Sequence, residues 1–270
     1  MIPFETDIKK TAVAAAWQAA ELLKKNLFLW QDRQVTFKRD FDFVTQVDYD
    51  SEKMIIQQIK NDFPDHDIFA EEQGADKRTS EYQWIIDPLD GTTNFIHGFP
   101  FFSISIALKK VDQIIFGLVY DPLREETFYA FKNKGAYFND HPIQPSAQKS
   151  VGQALIATGF PFRDKTKIAP YVQSFAKIFQ DVAGIRRAGS AALDLCYTAC
   201  GRVDGFWEIG LNPWDIAAGI LIVQEAGGIV TDFLGQANYF DSGNVVAANK
   251  HLHSYLLTVT KEILGNVYMR

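Results

Sequence analysis

The stretch NPWDIAAGILIVQEAGG at 212–228 has helical spacing, yet its interior is almost wholly apolar. A helix with no polar face has to be buried on every side. Its longest apolar run, 216–223, is too short to cross a bilayer, as is the other nearly apolar run at 99–108. It must therefore be covered by protein. Helical periodicity recurs at 5–30 (Ile8, Val13, Trp17, Ala20, Leu23), 50–62 (Met54, Ile55, Ile59), 169–180, 189–200 and 251–264. Strand patterns occupy 40–48, 66–70, 83–87, 102–110, 113–121, 126–131, 153–157, 202–208, 228–232 and 244–248. Turn residues such as Lys132-Asn133-Lys134-Gly135 and Asn139-Asp140 separate the strands. Helices, then strands, then alternating strands and helices give an α+β or α/β arrangement of layered sheets, with helices between and outside them.

Chain length permits this, because 270 residues can bury a core without disulfide staples. The two cysteines, Cys196 and Cys200, share a helix face at a spacing of four, where they pack rather than bridge. That suits a reducing cytoplasm. The N-terminus MIPFETDIKK carries acids where a signal peptide carries bases, so no membrane association is expected. With 27 Lys and Arg against 33 Asp and Glu, the net charge is −6 and no long run of one sign occurs. Direct nucleic-acid binding through a basic field is therefore not expected.

The chemistry sits in the acids at element ends. In WIIDPLDGTTNF at 84–95, Asp87 and Asp90 close an apolar strand just before a helix opening. Asp48 ends the 40–48 strand pattern, Glu71 and Glu72 follow DIFA, and Asp215 starts the buried helix. Each has a plain alternative: turn chemistry for Asp-Pro and Asp-Gly, a solvated Glu pair, and an acid that complements a helix dipole. Repetition decides against chance. Clustered carboxylates repel unless they protonate or hold a cation, and an oxygen-rich set points to Mg²⁺. The five histidines, His66, His97, His141, His251 and His253, show no zinc spacing, and His251 and His253 open a C-terminal helix where exposure is expected.

Pro88 turns Asp87 and Asp90 to one side, where two ions sharing a carboxylate would lie ~3.5–4 Å apart. The Leu89 carbonyl becomes a further ligand. Gly91 lets backbone approach a phosphate, the Gly91 and Thr92 amides form an anion site at the helix start, and Thr92 can orient the attacking water.

WIIDPLDGTTNFIHGFP together with WDIAAGILIVQEAGG closely resembles the paired signatures of the inositol monophosphatase family, within the lithium-sensitive, Mg²⁺-dependent phosphatase superfamily. The resemblance continues through EEQG at 71–74, GAYFND at 135–140, ATGFPF at 157–162 and GIRRAGSAALDLCYTACGRVDGFWE at 184–208, and is nearest to the bacterial branch. It implies an αβαβα sandwich, a homodimer, and hydrolysis of inositol 1-phosphate or a related polyol phosphate by in-line attack of water. By resemblance, Glu71, Asp87 and the Leu89 carbonyl would hold one ion, and Asp87, Asp90 and Asp215 a second. A third ion would lean on Glu71 through waters, giving two to three Mg²⁺ per site. Thr92 with Asp48 would polarise the water, Gly91 and Thr92 would bind phosphate, and Gly189, Ser190, Ala191 and Glu208 would meet substrate hydroxyls. One departure is Asn212-Pro213, where animal members carry His-Cys ahead of the Trp-Asp. An N-terminal α+β subdomain, 1–145, would carry most ligands. A C-terminal α/β subdomain, 146–270, would carry Asp215 and the substrate loop, the two making one catalytic unit. Relatives on this fold also act on NADP 2′-phosphate, 3′-phosphoadenosine 5′-phosphate or fructose 1,6-bisphosphate, and some bacterial relatives work through RNA polymerase or ribosomal partners.

Overall fold

The computed structural model describes residues 3–27, 35–39, 42–75, 79–161 and 164–265. Its first half contains α1 (Pro3–Asn26), β1 (Val35–Arg39), β2 (Asp42–Thr45), α2 (Gln46–Asp62), β3 (Asp67–Ala70), β4 (Gly74–Ala75), β5 (Tyr82–Asp90) and α3 (Thr92–Ile96). Then come β6 (Ser103–Lys110), β7 (Gln113–Asp121), β8 (Glu126–Phe131), β9 (Ala136–Phe138) and β10 (His141–Pro142). The second half comprises β11 (Leu155–Thr158), α4 (Ile168–Asp181), β12 (Gly184–Arg186), α5 (Ala191–Ala199), β13 (Gly205–Glu208), α6 (Pro213–Glu225), β14 (Ile229–Thr231), α7 (Tyr239–Ser242), β15 (Val245–Ala248) and α8 (His253–Leu264).

Eight strands form one sheet in the order β10-β9-β8-β7-β6-β5-β3-β4, and five form another in the order β12-β11-β13-β15-β14. Strand alternation assigns the faces of the larger sheet. Trp84 and Ile86 of β5, Ile104 and Ile106 of β6, and Phe116 and Leu118 of β7 point into a core shared with α1 and α2. Their neighbours Ile85, Ala107 and Val119 point the other way, into a core shared with α5 and α6. These strands are thus covered on both faces, which is why they read as nearly continuous apolar runs.

The all-apolar helix is α6, which lies in the core between the sheets with Ile216, Ala217, Ile220, Leu221 and Val223 all buried. Full burial of each Ile, Leu or Val is worth roughly 1.5–3 kcal/mol. Beyond the smaller sheet, α4 and α8 bury Tyr171, Ile178, Leu256 and Val259 against Ile156, Trp207 and Val246. The layers therefore run helix, sheet, helix, sheet, helix, the αβαβα order expected above. No described helix is long and apolar enough to cross a membrane.

Several expectations shift. The strand pattern over 40–48 breaks at Thr45, because the Thr45 side chain caps α2 and the Asp48 carboxylate accepts from Thr45 N–H at 2.9 Å in return. Asp48 therefore lies in the first turn of a helix; residues 40 and 41 are outside the described set. Helix α1 ends at Asn26, and the rest of the expected 5–30 helix past residue 27 also falls outside it. His253 is not exposed: it is buried, with Nε2 3.0 Å from Thr231 Oγ1. Strands β1, β4, β9, β10 and β12 are additional to those expected.

Candidate active site

Two parallel neighbours set the site's first edge. Strand β3 pairs with β5 so that Ala70 lies opposite Ile86, and β3 ends there with Glu71 next, while β5 continues into Asp87. The Glu71 N–H donates to Ile86 O at 3.2 Å and fixes that step. Beyond it, pairing of β5 with β6 passes from Asp87 opposite Ser105 to Asp90 opposite Ser103, so β5 has one residue more than its partner. Pro88 sits in this bulge, where its missing N–H costs the ladder nothing. Asp87 Oδ1 accepts from Leu89 N–H at 2.9 Å and closes the turn.

The buried helix supplies the next acid. Ser105, opposite Asp87, donates its hydroxyl to Trp214 O at 3.2 Å and ties the first turn of α6 to this strand. Pro213 opens α6, and Asp215 accepts from Asn212 N–H at 2.7 Å in a capping box, with Asp215 only 5% exposed. On the other flank, Asp90 Oδ2 accepts from Ser190 Oγ at 2.6 Å and from Ala192 N–H at 2.8 Å. Ser190 also caps α5. Of the expected hydroxyl-binding loop, Ser190 thus has its own hydroxyl engaged with Asp90.

The acids share one field. Burial pushes the Asp87 carboxyl well above the usual carboxylate range, and Glu71, Asp90 and Asp215 push it further. Burial likewise raises Asp90 to about 7, with Asp215 adding to the rise while the bonds from Ser190 and Ala192 oppose it. Among the described residues, however, no three Asp, Glu, His or Cys side chains are already gathered as a formed metal site. Hard oxygen donors on buried, mutually repelling carboxylates fit Mg²⁺ or a similar divalent ion.

Beside the acids, Thr92 Oγ1 lies 3.1 Å from both Asp48 Oδ1 and the Leu89 carbonyl oxygen, and can donate its one proton to either. Asp48 is 1% exposed. Gly91 caps the five-residue helix α3 at φ 100°, a left-handed conformation that favours glycine. A Cβ there would lie 3.1 Å from both Gly189 O and Phe101 O, so the Gly189 loop packs directly on the turn. Asn94 Nδ2 joins these segments by reaching Phe101 O at 2.6 Å and Ala188 O at 2.9 Å.

Glu208 ends β13, 6% exposed, against the backbone of Gly159, where any side chain would collide with its carboxylate. Near it lies a residue the motifs did not single out. Asp194, in the first turn of α5, has its carboxyl raised well above the usual range by burial and then by Glu208. Arg187 stacks on Phe160 at 5.4 Å from the ring centre and partly offsets that rise.

The sequence pattern of the inositol monophosphatase family matches residues 5–264. The chain belongs to this family. It is 44% identical over 260 residues to the Escherichia coli protein named Nus factor SuhB, covering 96% of this chain and 97% of that one. The crystal structure of the extragenic suppressor protein suhB from Bartonella henselae superposes with a TM-score of 0.91 at 40% identity, covering 94% of this chain and 98% of the other. An inositol monophosphatase from Anabaena gives a TM-score of 0.83 at 36% identity over 95% of this chain and 97% of its own.

Proposed function

We propose that this family member is a Mg²⁺-dependent phosphomonoesterase acting on inositol 1-phosphate or a related small polyol phosphate. The observation that carries the reading is the shared field of Glu71, Asp87, Asp90 and Asp215, four acids from three separate parts of the chain. Glu71, Asp87, the Leu89 carbonyl, Asp90 and Asp215 would hold two ions, with Glu71 the support for a third. Bound there, the ions neutralise the acids, polarise the phosphate and acidify water.

The chain's own groups do the rest. Donation of the Thr92 proton to Asp48 leaves the hydroxyl's lone pairs to accept a hydrogen bond from the attacking water, which aims and polarises that water. The Gly91 and Thr92 amides face the phosphate, and Glu208, at the other edge, accepts hydrogen bonds from substrate hydroxyls with Gly189 and Ala191 lining the loop. The water oxygen bonds to phosphorus as the opposite ester bond breaks, and the proton that the water gives up is the one the leaving alkoxide takes. Phosphate release measured side by side on inositol 1-phosphate, 3′-phosphoadenosine 5′-phosphate, fructose 1,6-bisphosphate and NADP tests the substrate class. A preference for any of the last three moves the assignment to that ester.

A second reading rests on the Escherichia coli relative's name, Nus factor SuhB. In it the chain works as a transcription-associated protein, with or without catalysis. Its net charge of −6 favours protein partners over direct nucleic-acid contact. We also propose a homodimer: Phe160, Ile168, Val172 and Phe179 are exposed apolar side chains on and beside α4, a face that a second copy would cover. Two free thiols suit the cytoplasm.

A further inference from the structure

Helix α2 touches the site through more than Asp48. One turn along from Asp48, Ser51 and Glu52 are fully buried. Ser51 Oγ donates to Pro88 O at 3.1 Å, holding the bulge that separates Asp87 from Asp90. Glu52 reaches the opposite turn, where Oε2 accepts from Glu72 N–H at 2.8 Å and Oε1 from Gln73 N–H at 3.0 Å. Three consecutive peptide units are thereby fixed: the Glu71 N–H by β5, and the next two by one carboxylate on α2. Charge-assisted bonds of this kind are about twice as strong as neutral ones, and the carboxylate fork matches two successive N–H donors.

We propose that Glu52 is a positioning residue for Glu71: it aims the 71–73 turn so that the Glu71 carboxylate stands ready to take a divalent cation. The inference rests on the metal-dependent reading above. Glu71 is the one candidate ligand on the β3–β4 connection, with no bulge or helix start to fix it, and its charge and that of Asp87 repel each other. Left to local backbone preference, the turn would let Glu71 swing away from Asp87 towards water. Glu52 opposes that swing through the backbone, away from the carboxylate that must bind the ion. The same helix carries Asp48, so the cation's carboxylate and the acceptor for Thr92 are referred to one rigid element.

Glu52→Gln keeps the length and volume of the side chain but turns one acceptor towards the turn into an NH₂ group facing an N–H. Losing a group that orients a metal ligand typically weakens the site by 10–100-fold. Mn²⁺ binding by calorimetry is the test, on wild type, Glu52→Gln, Glu71→Gln and the double variant, with folding checked by circular dichroism. We expect Glu52→Gln to weaken the tighter Mn²⁺ site by about tenfold or more and to add nothing once Glu71 is already Gln. Equal affinities in wild type and Glu52→Gln overturn the proposal, and so does an equal loss in the Glu71→Gln background, which would mark a general packing defect. If Glu52→Gln does not fold, Glu52→Asp, which keeps the charge on a shorter stem, carries the same comparison. Absence of Mn²⁺ binding in wild type would instead sink the metal-dependent reading itself.

Discussion

Replacing Asp90 by Asn should make the metal-free protein more stable while abolishing its activity, a pairing that ordinary damage to a fold does not produce. The Asp90 carboxyl is raised from 3.8 to about 7. An acid whose native pKa is raised loses stability as pH climbs from its unfolded value to its native one. The metal-free protein is therefore destabilised progressively between about pH 4 and pH 7. At about 1.4 kcal/mol for each pH unit, that span sets an upper limit of roughly 4 kcal/mol. The rise belongs jointly to Asp90 and its neighbours, and Asp90 is partly open to water, so about 1–2 kcal/mol is the expected share. Asn keeps an oxygen for the Ser190 and Ala192 donors and removes the charge. In EDTA at pH 7.5 we expect the Tm of Asp90→Asn to lie above wild type by a few degrees, with the gap closing towards pH 5. Added Mg²⁺ should raise the wild-type Tm more than the variant's, and turnover of the variant should fall by orders of magnitude. A variant less stable than wild type in EDTA, or one that keeps near wild-type turnover, refutes the reasoning.

Glu208→Gln should lower kcat/KM for inositol 1-phosphate by roughly tenfold or more, as loss of a charged hydrogen bond implies, while leaving p-nitrophenyl phosphate nearly untouched. An equal fall on both esters would place Glu208 in support of the acids instead. Burial holds the His253 imidazole below its ordinary 6.5, so the unfolded chain takes up a proton that the folded chain refuses, and stability should drop as pH falls below 6.5. His253→Gln should flatten that limb of the denaturation profile by up to about 1.4 kcal/mol per pH unit; parallel profiles would show that His253 is protonated in place.

How far the sequence reveals the site depends on whether the relevant contact is local. Asp87, Pro88, Asp90 and Gly91 announce themselves because bulge, turn and glycine conformation are all written within five residues. Layering was legible too, since α6 has no polar face and β5 to β7 have almost none. Asp48 looked like a strand end because alternation through Thr45 carries no sign of where pairing stops; the Thr45–Asp48 capping box decides it. Glu52 and Ser51 were missed for a different reason. They look like ordinary helix surface positions, and only the approach of the 71–73 turn and Pro88, 20 and 37 residues away, buries them. Asp194 is likewise an acid at a helix start until Glu208 is folded against it. Strand β12, three residues at a sheet edge, is too short to show a period.

The central claim, that a divalent cation on these acids drives phosphate ester hydrolysis, is tested most directly by phosphate release from inositol 1-phosphate before and after exhaustive chelation, followed by Mg²⁺ readdition. The account predicts turnover that vanishes with EDTA and returns in full with Mg²⁺, because no side chain replaces the ion as the activator of water. Phosphate release undiminished after chelation would contradict it.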